Sequence, residues 1–166
     1  MNKGFSFADL LPKEKLVDVV TSVVEEGDVY RMRLDSREGI VGKDGADSRN
    51  KYFIVIGQDS EGNALGFFVV DTKINESLPQ VRKEKHVKIE ASKYAFLEGT
   101  DRYVDCSDFK MISKERFAEL FSADKGKAKI LPEDVAKYKR EAVTYKNANK
   151  ARLKRFGLLP LEESNK

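Results

Sequence analysis

The 166 residues contain one cysteine, one histidine and no tryptophan. A lone Cys106 cannot close an internal disulfide, so the expected compartment is the reducing cytoplasm. A lone His86 leaves no His/Cys cluster for zinc, and neither a metal nor a cofactor is expected. Long apolar runs are also missing. None approaches the ~20 residues that span a bilayer, so no membrane partner is expected. The first residues lack the basic start, apolar core and small-residue cleavage site of a secretory signal. A phosphate-cradling loop is missing as well. Gly39, Gly42 and Gly45 recur at spacing three, but no Gly-Lys-Ser/Thr ending follows them.

What is present suits one folded domain over 1–166, with 40% hydrophobic and 36% charged residues. The net charge of +3 is unevenly spread. Residues 123–155 hold 11 Lys/Arg against 4 Asp/Glu, and residues 1–26 hold 3 against 5. A basic segment of that kind suits a phosphate-bearing partner, or simply a solvated helix.

Residues 48–74 dominate the pattern. The apolar runs Tyr52–Ile56 and Leu65–Val70 flank the turn-rich GQDSEGNA and predict a β-hairpin. Arg49 and Lys51 lead into it; Asp71, Thr72 and Lys73 lead out. Antiparallel pairing puts those two ends at one rim. Upstream, Leu16, Val19, Val20, Val23 and Val24 predict a helix over 12–26, opened by Pro12 and stopped by Gly27. VYRMRL (29–34) alternates as a half-buried strand, with Arg31 and Arg33 on its polar face. The loop 35–48 is expected to flank a cleft.

Downstream, HVKIEA (86–91) predicts a strand with Val87, Ile89 and Ala91 inward and His86 facing out. A turn near 98–101, strands near 103–106 and 109–112, and a Ser113-capped helix carrying Phe117, Leu120 and Phe121 follow. A break at 122–130 precedes a helix opened by Pro132 and running to Phe156, which carries the basic excess. The fold class is therefore mainly β with flanking helices, a small, strongly bent antiparallel sheet or barrel.

In this order, the chain resembles the MazF/PemK-like endoribonuclease toxins of toxin–antitoxin systems. GDVYRMRL (27–34) matches the family's opening Gly-Asp and strand. KYFIVIGQDSEGNALGFFVVDTK (51–73) matches a hairpin whose second strand ends at a Thr. HVKIEASKYAFLEGTDRYVDCSDFKMISKERFAELF (86–121) matches the remaining strands and the Lys-x-Arg helix. The resemblance covers residues 27–121 and implies an SH3-like barrel. It also implies metal-independent cleavage of single-stranded RNA by attack of its own 2′-hydroxyl, a restraining antitoxin protein and a homodimer. Thr72 falls at the family's catalytic Thr. The family's Arg-Pro is not matched: Lys51 stands at the Arg position and Arg49 two residues earlier, so both are candidates for the Arg role.

That chemistry needs a proton acceptor and donor, and groups to hold charge developing on the phosphate oxygens. Arg49, Lys51 and Thr72 are the candidate catalytic residues; Arg31, Lys73 and His86 are the candidate substrate contacts. The competing reading is a non-catalytic SH3-like barrel that binds nucleic acid or a protein. On that reading the rim cations keep strand ends soluble and His86 lies on a solvated face.

Overall fold

The two apolar runs predicted to pair as a hairpin do so, and the sheet is assembled on them. The structure is a computed structural model that describes residues 12–42, 45–121 and 128–160. In chain order the elements are α1 (Lys13–Ser22), β1 (Asp28–Asp35), β2 (Ser48–Gln58), β3 (Ala64–Asp71), α2 (Gln80–Lys83), β4 (His86–Ile89), β5 (Arg102–Asp105), β6 (Lys110–Ser113), α3 (Lys114–Leu120), β7 (Ala128–Lys129), α4 (Pro132–Val143) and α5 (Lys150–Arg155). Short 3-10 turns lie at Ser36–Glu38 and Ala95–Leu97. The strands form one strongly curled antiparallel sheet, mainly β as expected.

The strand order is β4-β5-β3-β2-β1-β7, with β6 also on β3. The central strand β3 is therefore shared. Its first half pairs with β6 (Leu65 with Ile112) and its last residues with β5 (Val70 with Val104). On its other side β2 runs alongside, with an irregularity between Val55 and Gly57. Splitting one strand between two partners bends the sheet, which a flat ladder would not do.

Side chains alternate between two buried faces. One cluster joins Tyr30, Met32, Leu34, Phe53, Phe67 and Val69 to Leu16 and Val20 of α1 and Phe117 of α3. The other joins Val29, Ile54, Phe68, Val70, Ile89 and Val104 to Val135 and Tyr138 of α4 and Leu153 of α5. The central strands are covered on both sides, which accounts for the near-continuous apolar run LGFFVV. Gly66 lies where Phe109 crosses β3. A Cβ there would meet Phe109 Cζ at 2.3 Å and Phe156 Cδ1 at 2.9 Å.

Two predicted helices differ in extent. α1 ends at Ser22, and its buried residues are Leu16, Val20 and Thr21, while Val19 and Val23 are 42% and 48% exposed. Thr21 and Ser22 turn their hydroxyls back on the carbonyls of Val17 and Val19, and Asp28 accepts from the Glu25 N–H beyond the helix end. These side-chain bonds compete with another helical turn. The basic C-terminal helix predicted over 132–156 is two helices. Thr144 bonds back to the Arg140 carbonyl, and Asn149 caps the second piece by accepting from the Arg152 N–H at 3.1 Å. The bend lets α5 bury Leu153 and Phe156. Of the predicted break at 122–130, residues 122–127 lie outside the described residues, and 128–129 form β7. No helix among the described residues is long and apolar enough to cross a membrane.

Candidate functional site: a charged cleft on the first sheet face

The sheet face that packs on α1 and α3 continues past its apolar part. In β2 the alternation that buries Phe53 and Val55 brings Lys51 and Arg49 to the same face, opposite Met32 and Leu34 of β1. In β3 it brings Asp71 there after Val69. The chain then leaves the sheet at Thr72 and Lys73, crosses to α2, and returns as β4 with His86 beside Asp105. A cleft of about 770 Å³ results. Its walls include Arg49, Lys51, Asp71, Thr72, Lys73, Arg82, His86, Asp105 and Lys110, with Gly39–Val41 along one side.

The loop side is braced by charge. Asp35 and Glu38 form a capping box over Ser36–Glu38, and Arg116 of α3 reaches both carboxylates at 3.3 and 3.5 Å. Hydrogen bonds from Arg37 hold the Asp35 carboxyl down to about 2. Lys110 donates to the Gly39 carbonyl at 3.0 Å and pairs with Asp108 at 2.7 Å. This fixes the edge expected to flank a cleft, although Lys43 and Asp44 lie outside the described residues.

Cations at the site are not equivalent. Lys51 is 12% exposed and gives its ammonium to Asp71 at 2.8 Å. Arg82 donates to Ser107 at 2.9 Å and lies 3.5 Å from Asp105. Arg49 and Lys73 have no ion-pair partner among the described residues, so their charge is open to a ligand. Thr72 is exposed just past the end of β3, with its hydroxyl unengaged by the described residues.

The structure thus brings together five of the six predicted site residues. Arg31 is the exception. It lies on the opposite sheet face, its guanidinium 5.6 Å from the centre of the Tyr52 ring, beside a separate cavity of about 310 Å³ lined by Tyr52 and Phe96. Strand alternation separates it from Lys51, because Arg31 is opposite Tyr52. His86 reaches the cleft but is not solvated as expected. Its side chain is 2% exposed because α2 folds over β4 and the Arg82 carbonyl lies 2.9 Å from Nδ1.

Residues that the sequence reading passed over are the acids. Asp71, His86 and Asp105 come from three neighbouring strands. One ligand atom of each lies within 4.8 Å of the others. Asp105 is held by the Ser107 N–H at 3.0 Å and the Ser107 hydroxyl at 2.5 Å. Their spacing in sequence, 15 and 19 residues, matches no local ligand motif, and only the strand order joins them. Cys106, next in the chain, faces the other way. Burial, then the carboxylates of Asp105 and Glu141, push its thiol far up, so it is an inert core residue.

The site defines a class no finer than a cleft on a curled β-sheet, lined by both cations and carboxylates. Comparisons with protein-family models, curated proteins and solved structures give no match.

Proposed function

We propose that this cleft binds single-stranded RNA and cleaves it by attack of a 2′-hydroxyl on the adjacent phosphate. The observation that carries the proposal is the convergence of Arg49, Lys51, Thr72 and Lys73 at one rim, with Arg49 and Lys73 free of ion pairs among the described residues. A partly buried guanidinium and an exposed ammonium that line a cleft suit a phosphodiester, which Arg can grip with its planar fork. The same reading takes the curled sheet as an SH3-like barrel of the MazF/PemK kind, and with it a restraining antitoxin and a homodimer.

The two candidates for the missing Arg then divide the work. Arg49 has no ion-pair partner among the described residues, and with the Thr72 hydroxyl it holds the charge that grows on the nonbridging oxygens. Lys51 and Asp71, in contact at 2.8 Å, supply a proton donor and an acceptor side by side. Asp71 takes the proton of the 2′-hydroxyl as its oxygen bonds to phosphorus. Lys51 gives a proton to the departing 5′-oxygen as that P–O bond breaks. The products are a 2′,3′-cyclic phosphate and a 5′-hydroxyl, and Asp71 returns its proton to Lys51 across their contact. No metal enters these steps.

The test is incubation of the purified chain with long single-stranded RNA in EDTA. Fragments ending in cyclic phosphate are expected. Arg49→Ala or Thr72→Ala should slow cleavage about 100-fold, the effect of removing one oxyanion donor. Asp71→Asn should cost at least about 100-fold through loss of the acceptor. RNA that is bound but stays intact would leave the cleft a binding surface, the non-catalytic alternative. RNA that is neither bound nor cut would end the proposal.

A further inference from the structure

We infer that Asp71, His86 and Asp105 bind one divalent cation of the Mn²⁺ to Zn²⁺ series at the floor of the cleft. The argument starts from the imidazole. A carbonyl oxygen can only accept, so the 2.9 Å contact between His86 Nδ1 and the Arg82 carbonyl places a proton on Nδ1. Nε2 is then the atom aimed into the cluster, 3.5 Å from Asp105 Oδ1. A bare lone pair facing a carboxylate is unfavourable in a ring whose side chain is only 2% exposed. The arrangement calls for a positive centre between them.

The surroundings fit a metal better than a proton alone. A ligating histidine characteristically donates its other ring N–H to a backbone carbonyl or carboxylate, as His86 does. Asp105 is oriented by two donors from Ser107 on Oδ1 and by the Arg82 guanidinium, 3.5 Å from Oδ2. Asp71 accepts from Lys51 on Oδ1, and its second oxygen has no hydrogen bond among the described residues. The three ligand atoms lie within 4.8 Å of one another, so closing to bonds of about 2.0–2.2 Å needs only small side-chain turns. One nitrogen and two carboxylates suit Mn²⁺, Fe²⁺, Co²⁺ or Zn²⁺, whereas Ca²⁺ and Mg²⁺ prefer oxygen alone. The cleft leaves further coordination positions open to water or a phosphate oxygen.

The sole histidine makes the test direct, because every imidazole signal belongs to His86. The chain, without an affinity tag, is labelled with ¹⁵N and titrated with Zn²⁺ alone, while calorimetry follows the affinity. The Nε2 resonance is expected to move to a metal-bound position while Nδ1 keeps its proton. Asp71→Asn and Asp105→Asn should each weaken binding at least about tenfold. Glu115→Gln, an exposed acid on α3, should bind like the parent chain, and Ca²⁺ should leave the ring unshifted. An unmoved Nε2 at tenfold excess of Zn²⁺ would overturn the inference, as would unchanged affinity in both Asp variants. Asp71→Asn changes a partly exposed side chain, so it keeps the test informative even if Asp105→Asn, at a buried residue, prevents folding. Binding is read without RNA. Its failure therefore leaves the cleavage proposal standing, and failure of cleavage in EDTA leaves the metal site standing.

Discussion

Asp59 holds three parts of the chain with one carboxylate. Oδ1 accepts from the N–H groups of Asn63 and Ala64 at 2.6 and 3.3 Å, closing the β2–β3 turn, and Oδ2 accepts from Arg155 at 2.7 and 3.1 Å, tying α5 to the hairpin. Burial works to raise its pKa. The Arg155 and backbone hydrogen bonds outweigh that and hold it below 3.8. A depressed carboxylate contributes stability above its unfolded pKa and loses it as pH falls through the folded value. Asp59→Asn should thus lower stability at pH 7 by about 2 kcal/mol and flatten the decline of Tm below about pH 4. Denaturant melts across pH 2.5–7 would show both, and an unchanged acid limb would remove Asp59 from this role. Gly66→Ala tests the opposite kind of residue effect, crowding. With Phe109 Cζ at 2.3 Å from the new methyl, it should cost about 1–3 kcal/mol in a denaturant melt. Neither effect was legible beforehand: Asp59 read as an ordinary turn acid, and Gly66 as one more residue of an apolar run.

At the scale of elements, the sequence speaks clearly where one face is buried and local chemistry agrees. β1, the hairpin and α3 were all legible. Ser113 accepts from the Arg116 N–H at 3.1 Å and Phe117 is fully buried, as the cap and stripe predicted. Ser113→Ala should destabilise the protein by about 1 kcal/mol, read as a lower denaturation midpoint with unchanged slope. α1 was found but its stripe misassigned. A run with valines at 17, 19, 20, 23 and 24 offers two overlapping faces, and Thr21, a polar residue on the buried side, decides between them only through packing. The C-terminal helix was misread as continuous because Thr144, Asn147 and Asn149 are weak interruptions taken singly. Together with the need to bury Leu153 and Phe156, they end one helix and cap another. His86 shows the limit of strand alternation. Period two gives the face correctly, but α2 covers that face, and no local pattern announces a cover.

For the whole molecule, the distribution of charge decides what the cleft can attract. The basic excess lies along α4 and α5, while among the described residues the cleft's open positive charge comes from Arg49 and Lys73, since Lys51 and Arg82 are spent on Asp71, Asp105 and Ser107. A groove with few free cations should bind a polyanion modestly and with a shallow salt dependence. For single strands the slope of log K against log salt is about −0.7 for each phosphate neutralised. Arg49→Ala and Lys73→Ala should each reduce that slope by about 0.7 as well as weaken binding of a short unstructured RNA. Arg31→Ala, on the opposite face beside Tyr52, should change neither quantity. Fluorescence anisotropy between 50 and 300 mM salt separates the cases. If Arg31→Ala flattens the slope while Arg49→Ala and Lys73→Ala do not, RNA lies against the Tyr52 cavity and the first-face cleft loses its assignment. If all three leave it unchanged, the contacts belong to the basic α4 and α5. The expected result, loss at 49 and 73 alone, would tie affinity to the rim where Thr72 stands.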